Sequence, residues 1–307
     1  MKCLCCGKEV KSTNGWHDSC IKAFFNTSIL PVLDSENLRT TLEEMGNEYL
    51  SENKSVTGVQ KKLSLHLSKE IGNYRLTLIG YPQGYILKPN SNEYPFIAEA
   101  EHLVMLMANE CNIKTAPHAL IKINDEYAYI TKRIDRVNNE KRHMEDFCQL
   151  ANRPTEYKYN GSYEKCAKII DQYSINPMID KVELYYRLCF CYIVGNSDMH
   201  LKNFSLIEKD GKHALSAAYD LLPVKLIIND EEDLALTLNG KKKNITRKDF
   251  LNFSESIGMD RKVAIKLLDS ILCKKEKFIS MINESLIPED SKVKFIEYIS
   301  DKIDFLK

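Results

Sequence analysis

The sequence predicts an α+β fold in two lobes, preceded by a small cysteine-rich segment. Up to about residue 134 the chain alternates strand-like stretches with one strong helix, whereas the remainder is mainly helical. Four of the ten cysteines fall within the first twenty residues. A chain of 307 residues is long enough to bury a large core in two lobes. We therefore expect segments at residues 1–28, 29–134 and 135–307.

Composition and hydropathy exclude several classes of function. Acidic and basic residues number 43 each, so no overall basic field would draw the chain to nucleic acid. No apolar run approaches the roughly 20 residues that cross a bilayer, and the first residues lack the apolar segment of a signal peptide. We expect a cytoplasmic protein with reduced thiols and no membrane partner.

The N-terminal segment carries four side chains that suit a metal ion. They are Cys3, Cys6, His17 and Cys20, in a Cys-x2-Cys-x10-His-x2-Cys pattern. Four sulfur and nitrogen ligands leave no open position, which is typical of structural Zn²⁺. Cys5 could replace either neighbouring cysteine, and free thiols on a frayed terminus are the alternative. The apolar residues 23–25 would dock this segment on the main body.

A helix at residues 34–53 precedes a turn of small residues that leads into a strand. The turn consists of Ser55, Val56, Thr57 and Gly58. Its backbone N–H groups could cradle phosphates, although one glycine alone indicates a hairpin turn equally well.

Lys88 and Glu101 follow in the next strand and helix. Lys88 ends an apolar strand at residues 84–89, and Glu101 lies near the start of a helix at residues 97–111. Glu101 could pair with Lys88 and direct the ammonium toward nucleotide phosphates; a solvated lysine is the alternative. A hairpin then spans residues 119–131. Strand, lysine, helix, glutamate and hairpin come in the order of a kinase small lobe, whose next segment would meet adenine.

The polar segment at residues 195–204 follows an apolar helix at residues 180–194. Within it, Asp198 precedes Asn203 by five positions with His200 between them, and Asp220 comes later. One carboxylate can orient an attacking hydroxyl, while an amide oxygen and a second carboxylate hold Mg²⁺. The alternative is a polar loop in which Asp and Asn only form turns.

The remaining elements complete a large lobe. We expect a helix at residues 162–175, a strand at 234–238 and amphipathic helices from residue 248 onward. The three lysines at 241–243 are expected to be a solvated turn, with contact to RNA or an acidic partner as the alternative.

Taken together in this order, these segments make the sequence resemble the HipA family of bacterial toxin kinases, especially its short HipT-like branch. The similarity rests on residues 55–63, 85–89, 132–136, 144–149, 195–204 and 219–221. It implies a two-lobed protein-kinase-like fold and phosphorylation of a protein serine or threonine with ATP and Mg²⁺.

The resemblance also assigns roles to individual residues. It implies that Asp198 is the catalytic aspartate and that Asn203 and Asp220 are Mg²⁺ ligands. Lys88 would be the phosphate-binding lysine, and the backbone of Lys132 and Ile134 would form the hinge that contacts adenine. Ser55 and Thr57 would be the sites of autophosphorylation. His200 could support the transferring phosphate or be structural. Thr57 stands where the family pattern has serine, so efficient modification there is in doubt.

Partners are implied in the same way. Family members phosphorylate an aminoacyl-tRNA synthetase, and a tRNA could accompany that substrate. A helix-turn-helix antitoxin neutralises them and provides an indirect link to DNA. Only about 50 residues precede the phosphate loop here, which favours a separate small antitoxin subunit in place of the extra N-terminal subdomain of larger members.

Two other functions compete with this one. A small-molecule kinase would use the same Asp-x4-Asn loop. An inactive pseudokinase could bind an antitoxin or nucleic acid through the cysteine segment, but the presence of Lys88, Asp198, Asn203 and Asp220 together argues against it.

Overall fold

The structure is a computed structural model that describes residues 1–33, 62–70, 73–78, 83–90, 93–123, 126–137, 140–228 and 231–307. The helix predicted at 34–53 and the phosphate loop of Ser55, Val56, Thr57 and Gly58 lie outside the described residues. The chain divides into two compact units, Met1–His102 with Ala116–Lys141 and Leu103–Thr115 with Arg142–Lys307. The division into segments 1–28, 29–134 and 135–307 stays a prediction.

The first unit is built on a β-sheet with one helix before it. Its elements are α1 (Asp18–Phe25), β1 (Val32–Leu33), β2 (Leu63–Glu70), β3 (Asn73–Thr77), β4 (Gln83–Pro89), β5 (His118–Ile123), β6 (Glu126–Lys132), β7 (Arg136–Val137) and β8 (Glu140–Lys141). Among the described residues the main sheet has the order β1–β3–β2–β4–β6–β5, and only β1 and β3 are parallel. The short strands β7 and β8 pair separately.

The helix α2 (Ile97–Glu110) has residues in both units. Its start is fixed by Asn90, directly after β4, whose side-chain oxygen accepts a 2.8 Å hydrogen bond from the N–H of Ala98. This bond satisfies one of the backbone donors that a helix leaves unpaired in its first turn. The helix predicted at 97–111 and the hairpin predicted at 119–131 both form, with ends within one residue of the predicted ones.

The second unit is mainly helical. Its elements are β9 (Met144–Asp146), α3 (Phe147–Leu150), a 3₁₀ turn (Thr155–Tyr157), α4 (Tyr163–Tyr173), α5 (Pro177–Ile193), a second 3₁₀ turn (Leu201–Asn203), β10 (Ser205–Lys209), β11 (Lys212–Leu215), α6 (Val224–Ile227), α7 (Arg247–Ser256), α8 (Arg261–Leu272), α9 (Lys275–Asn283) and α10 (Glu289–Leu306). Strands β9 and β11 flank β10, and both pair with it antiparallel. The mixture of helix and sheet confirms the α+β class.

The strand predicted at residues 234–238 does not form. Leu234, Ala235 and Leu236 are all buried, so this run does not alternate between two faces as a half-buried strand would. The segment makes only isolated bridges, one of which joins Thr237 to Ser162. The apolar run fills the core without joining a sheet.

The three lysines at 241–243 are held by carboxylates of the same unit. Their partners are Asp249 for Lys241 at 2.8 Å, Glu232 for Lys242 at 3.1 Å and Glu231 for Lys243 at 2.8 Å. Because the ammonium groups are paired, this turn is not a concentrated cationic surface for RNA. Separately, no helix of the described residues has the length and apolar character that a membrane crossing requires.

Candidate active site

The polar loop of the second unit begins at a glycine that no other residue could replace without strain. Gly195 follows α5 with φ of +72°, and a Cβ atom there would lie 2.9 Å from Cε1 of Tyr298 and 3.0 Å from Cβ of Lys225. The next residue, Asn196, donates its backbone N–H to the carbonyl of Cys191. The chain therefore leaves the helix in a sharp turn that directs Asp198 out of the core.

Asn203 is fixed within the loop by two local hydrogen bonds. Its side-chain Nδ2 donates a 2.9 Å hydrogen bond to the backbone carbonyl of Asp198, and its own N–H donates to the carbonyl of His200. The amide nitrogen is thus committed to the loop, so the amide oxygen is the atom suited to a cation. Hard oxygen donors of this kind fit Mg²⁺.

His200 lies inside the same loop, with 4% of its surface exposed. Among the described residues its Nδ1 atom has no hydrogen-bond partner although it is buried. Burial lowers the pKa of this imidazole, although the nearby carboxylates of Asp198 and Asp220 oppose that shift. A neutral ring with an unsatisfied buried nitrogen is consistent with a site that receives a polar ligand.

Asp220 approaches this group through a strained backbone. Its φ of +59° lies in the left-handed region, which aspartate tolerates better than most residues. The preceding Tyr219 anchors the segment, since its hydroxyl donates to the carbonyl of Lys202 at 3.0 Å and lies 2.5 Å from Oγ of Ser205. The second unit therefore brings Asp198, Asn203, His200 and Asp220 together.

Sequence reasoning missed Tyr159. Its hydroxyl donates a 2.6 Å hydrogen bond to Oδ1 of Asp198, and its ring packs edge-on against His200 with centroids 5.0 Å apart. The ammonium of Lys158 lies 4.9 Å from the centre of the same ring. Tyr159 precedes Asp198 by 39 residues in a polar stretch without periodicity, so no spacing in the sequence indicates this contact.

In the first unit Lys88 and Glu101 form the predicted pair. Nζ of Lys88 lies 2.6 Å from Oε1 of Glu101, and the two residues are 4% and 1% exposed. The ammonium also lies 5.3 Å from the ring centre of Tyr129. Because a buried ion pair contributes little net stability, the pair is better explained by positioning of the ammonium than by folding.

The predicted hinge continues β6. The N–H of Lys132 donates to the carbonyl of Pro117 at 2.8 Å. Ile134 lies half-buried in the turn that follows. Within that turn the carboxylate of Asp135 accepts from Arg133 and Arg136, and these guanidinium groups lower its pKa against the opposing effect of burial.

Comparison with known proteins identifies the family. The family model described as the HipA-like C-terminal domain matches residues 54–278. The chain belongs to this family. The HipA-like match contains the loop from Gly195, the Lys88–Glu101 pair and the hinge, whereas the N-terminal cysteine segment precedes it.

Individual relatives agree with the family match. A protein of Haemophilus influenzae that carries a kinase name is 30% identical over 266 residues, which are 76% of this chain and 76% of that protein. The serine/threonine-protein kinase toxin HipA of Shewanella oneidensis is 24% identical over 259 residues, 77% of this chain and 59% of that protein.

A solved structure shows the same fold. The complex of HipA, HipB and operator DNA from the Shewanella oneidensis toxin–antitoxin system matches with a TM-score of 0.72 and 20% identity, over 89% of this chain and 70% of that chain. The predicted protein-kinase-like, HipA-like fold is therefore confirmed.

The four predicted zinc ligands come together outside the HipA-like match. One ligand atom from each of Cys3, Cys6, His17 and Cys20 lies within 4.8 Å of the others. Gly7 has φ of +69° and donates its N–H to the carbonyl of Cys3, which turns the chain back as expected. These are the four residues that the spacing predicted, and Cys5 is not one of the grouped residues.

The surroundings of the cluster suit a cation. Nε2 of His17 lies 2.8 Å from the carbonyl of Glu9, which leaves Nδ1 facing the sulfur atoms, as is typical of metal-bound imidazole. Burial opposes ionisation of the Cys3 thiol, but the backbone N–H groups of Cys6, Cys5 and His17 lower its pKa to about 7. Burial and neighbouring sulfurs raise the pKa of Cys20, and a bound cation would offset this effect by favouring the thiolates.

The cluster is anchored to the sheet of the first unit. The carbonyl of Leu4 accepts a 2.7 Å hydrogen bond from the N–H of Leu120 in β5, which partly covers that edge strand. Phe24 and Phe25 are buried and pack near Tyr85, whose hydroxyl donates to the carbonyl of Phe24. Phenylalanines therefore dock the segment, whereas Ala23 is exposed.

Proposed function

We propose that the chain is an ATP- and Mg²⁺-dependent serine/threonine-protein kinase that acts as the toxin of a toxin–antitoxin system. The observation that carries the proposal is the arrangement of Asp198, Asn203 and Asp220 around the buried His200. Membership of the HipA-like family supports kinase chemistry at these residues.

Each residue has a part in the mechanism. Asp198 would accept a hydrogen bond from the acceptor hydroxyl and align it for in-line attack. Lys88, held by Glu101, would bind the nucleotide phosphates, and Asn203 and Asp220 would hold Mg²⁺. The metal–nucleotide supplies the phosphoryl group and neutralises its charge. The backbone of Lys132 and Ile134 would bind adenine, and neutral His200 would support the phosphate.

Phosphate incorporation tests the active site directly. Purified protein incubated with radiolabelled ATP and Mg²⁺ should acquire label at Ser55 or Thr57, and Asp198→Ala should not. Asp301→Ala, on the helix α10, is a control that removes an exposed carboxylate without straining the backbone. Label retained by Asp198→Ala would contradict the role of Asp198.

Autophosphorylation would also switch the enzyme off. A phosphate on Ser55 or Thr57 adds about −1.5 to −2 charges to a loop that must bind nucleotide phosphates. Repulsion should expel ATP from the modified protein. The measurement is nucleotide affinity before and after modification, with phosphatase treatment as the control.

The proposed substrate is an aminoacyl-tRNA synthetase, with or without its tRNA, so the enzyme would arrest translation in the cytoplasm. A helix-turn-helix antitoxin, with a possible second small subunit, would neutralise it and link it to DNA. The matched Shewanella structure, in which HipA is assembled with HipB and operator DNA, supports such a partner. Incubation with a panel of synthetases, each with and without tRNA, tests the substrate.

The small-molecule kinase remains the second candidate, because the Asp-x4-Asn loop serves both classes. Transfer to a metabolite pool and none to any protein, the enzyme itself included, would favour it. ATP binding without turnover would instead favour a pseudokinase.

We also propose that Cys3, Cys6, His17 and Cys20 bind one structural Zn²⁺. Purified protein should contain one equivalent of zinc, and Cys20→Ser should lose it and unfold at a lower temperature. Cys273→Ser, which removes an exposed cysteine, is the control. Equal zinc content in the two variants would contradict the assignment.

A further inference from the structure

A second group of metal-binding side chains lies on the small sheet of the second unit. Glu208 in β10 and His213 in β11 are directly opposite residues of an antiparallel pair. On the other side of β10, the N–H of Glu208 donates a 2.8 Å hydrogen bond to the carbonyl of His143, just before β9. Directly opposite residues share a face of a sheet, so the three side chains form a row across three adjacent strands.

The distances in this row suit one ion. One ligand atom from each of His143, Glu208 and His213 lies within 4.8 Å of the other two. Nitrogen and oxygen ligands bind Zn²⁺ at about 2.0–2.2 Å, so ligands on opposite sides of an ion are separated by up to about 4.4 Å. Small side-chain rotations would therefore complete the site.

The charges also favour a cation. Oε2 of Glu145 lies 3.8 Å from Nε2 of His143 and adds a second carboxylate beside the row. The rings of His143 and His213 meet nearly perpendicular, with centroids 5.7 Å apart. The neighbouring Lys209 and Lys212 alternate with Glu208 and His213 along their strands, so they point to the opposite face.

We propose that His143, Glu208 and His213 bind a divalent transition-metal ion of the zinc class. Two imidazoles and one carboxylate favour such an ion over Mg²⁺ or Ca²⁺, which prefer oxygen ligands alone. Three protein ligands leave a position for water, and His143 is exposed, so the ion exchanges more readily than one held by the four-ligand cysteine cluster.

An ion here would join the strands that lead to the candidate catalytic loop. β10 begins at Ser205, two residues after Asn203, and β9 ends at Asp146, whose carboxylate accepts a 3.0 Å hydrogen bond from Nζ of Lys202. Binding at the opposite end of these strands would therefore brace the sheet that supports the loop. The site itself does not depend on the proposed kinase function.

Cobalt titration of the full chain tests the proposal, with zinc retained in the four-ligand cysteine cluster and exchangeable metal removed by dialysis beforehand. Co²⁺ bound by nitrogen and oxygen shows weak visible bands, whereas Co²⁺ bound by cysteine also shows strong near-ultraviolet bands from sulfur. We expect one further equivalent of Co²⁺ with visible bands alone. Zn²⁺ added afterwards should displace it, and thermal unfolding should shift to higher temperature when the ion is present.

Variants separate this site from other weak sites. His213→Ala and Glu208→Gln should each lower the Co²⁺ affinity by about tenfold or more, since even the outer partners of metal ligands contribute that much. His66→Ala removes a histidine from the first unit and should leave the affinity unchanged. The side chain of glutamine has nearly the shape of glutamate, so Glu208→Gln should fold normally. It therefore still tests the site if His213→Ala proves to be unstable. Absence of the extra equivalent, or unchanged affinity in both variants, would overturn the proposal.

Discussion

The Lys88–Glu101 pair of the first unit and the Asp198 loop of the second unit both bury polar groups, but they differ in whether those groups have partners. In the first, an ammonium and a carboxylate meet at 2.6 Å and compensate each other. In the second, the buried Nδ1 of His200 has no partner among the described residues, and Asp220, from the segment after β11, adopts a left-handed backbone near this histidine. The pair is internally compensated, whereas the loop retains a buried polar atom without a partner among the described residues, which is typical of a ligand site.

The largest expected effect comes from breaking the compensated pair. Lys88→Met should lower phosphate transfer by about 10²–10³-fold, because it removes a fixed charge from the developing phosphate charge. It should also lower the free energy of unfolding by about 3–5 kcal/mol, because Glu101 is left buried without its partner. Urea unfolding and ATP turnover measure the two effects.

A double variant distinguishes stability from function. Lys88→Met combined with Glu101→Leu removes both charges, so the free energy of unfolding should return toward that of the original protein while activity stays lost. Recovery of activity in the double variant would show that Lys88 serves folding alone.

The loop should respond chiefly through its metal requirement. Asp220→Asn retains a residue type that tolerates the left-handed backbone but removes a negative ligand. The Mg²⁺ concentration for half-maximal activity should rise by about tenfold or more. Asp210→Asn should leave it unchanged. If Asp220→Asn also left it unchanged, Asp220 would not be a metal ligand.

Buried histidines of the first unit allow a pH test. Nδ1 of His102 lies 3.0 Å from Nδ1 of His118, and burial lowers the pKa of His102 to about 3 and that of His118 well below its usual range. The unfolded chain therefore binds protons below about pH 6.5 that the folded pair does not. The free energy of unfolding should fall with pH below 6.5, by up to about 1.4 kcal/mol per pH unit for each histidine.

Urea unfolding at pH 7 and pH 5.5 measures that slope. Replacement of both residues, His102→Asn with His118→Asn, should reduce it, because asparagine does not titrate. Equal slopes in the two proteins would assign the acid sensitivity to other groups, such as His200.

The smallest expected effect concerns Tyr159. Its hydroxyl and the acceptor hydroxyl would both donate to the carboxylate of Asp198, so Tyr159→Phe should lower the KM for the acceptor by a few-fold and leave kcat nearly unchanged. Tyr157→Phe, which alters an exposed tyrosine nearby, is the matched control. A large fall in kcat would instead make Tyr159 a positioning residue for Asp198.

Two segments of the second unit show what a sequence leaves open. Leu234, Ala235 and Leu236 form an apolar run that fits a strand or a buried coil equally well, and only the neighbouring chain decides between them. The three lysines at 241–243 lie in a largely exposed turn, as expected, but the sequence did not show that Asp249, Glu232 and Glu231 pair with them. Composition reports the charges of a segment but not their partners.

The sequence by itself predicted the family, the order of strand, helix and hairpin from β4 to β6, and the residues of the cysteine cluster and the Asp198 loop. These features rest on periodicity and short spacing, which the chain specifies locally. Tertiary structure alone decided that Tyr159 contacts Asp198, that His102 pairs with His118 and that His143, Glu208 and His213 form one row. Those contacts join distant segments through packing and strand register, and no local pattern encodes them.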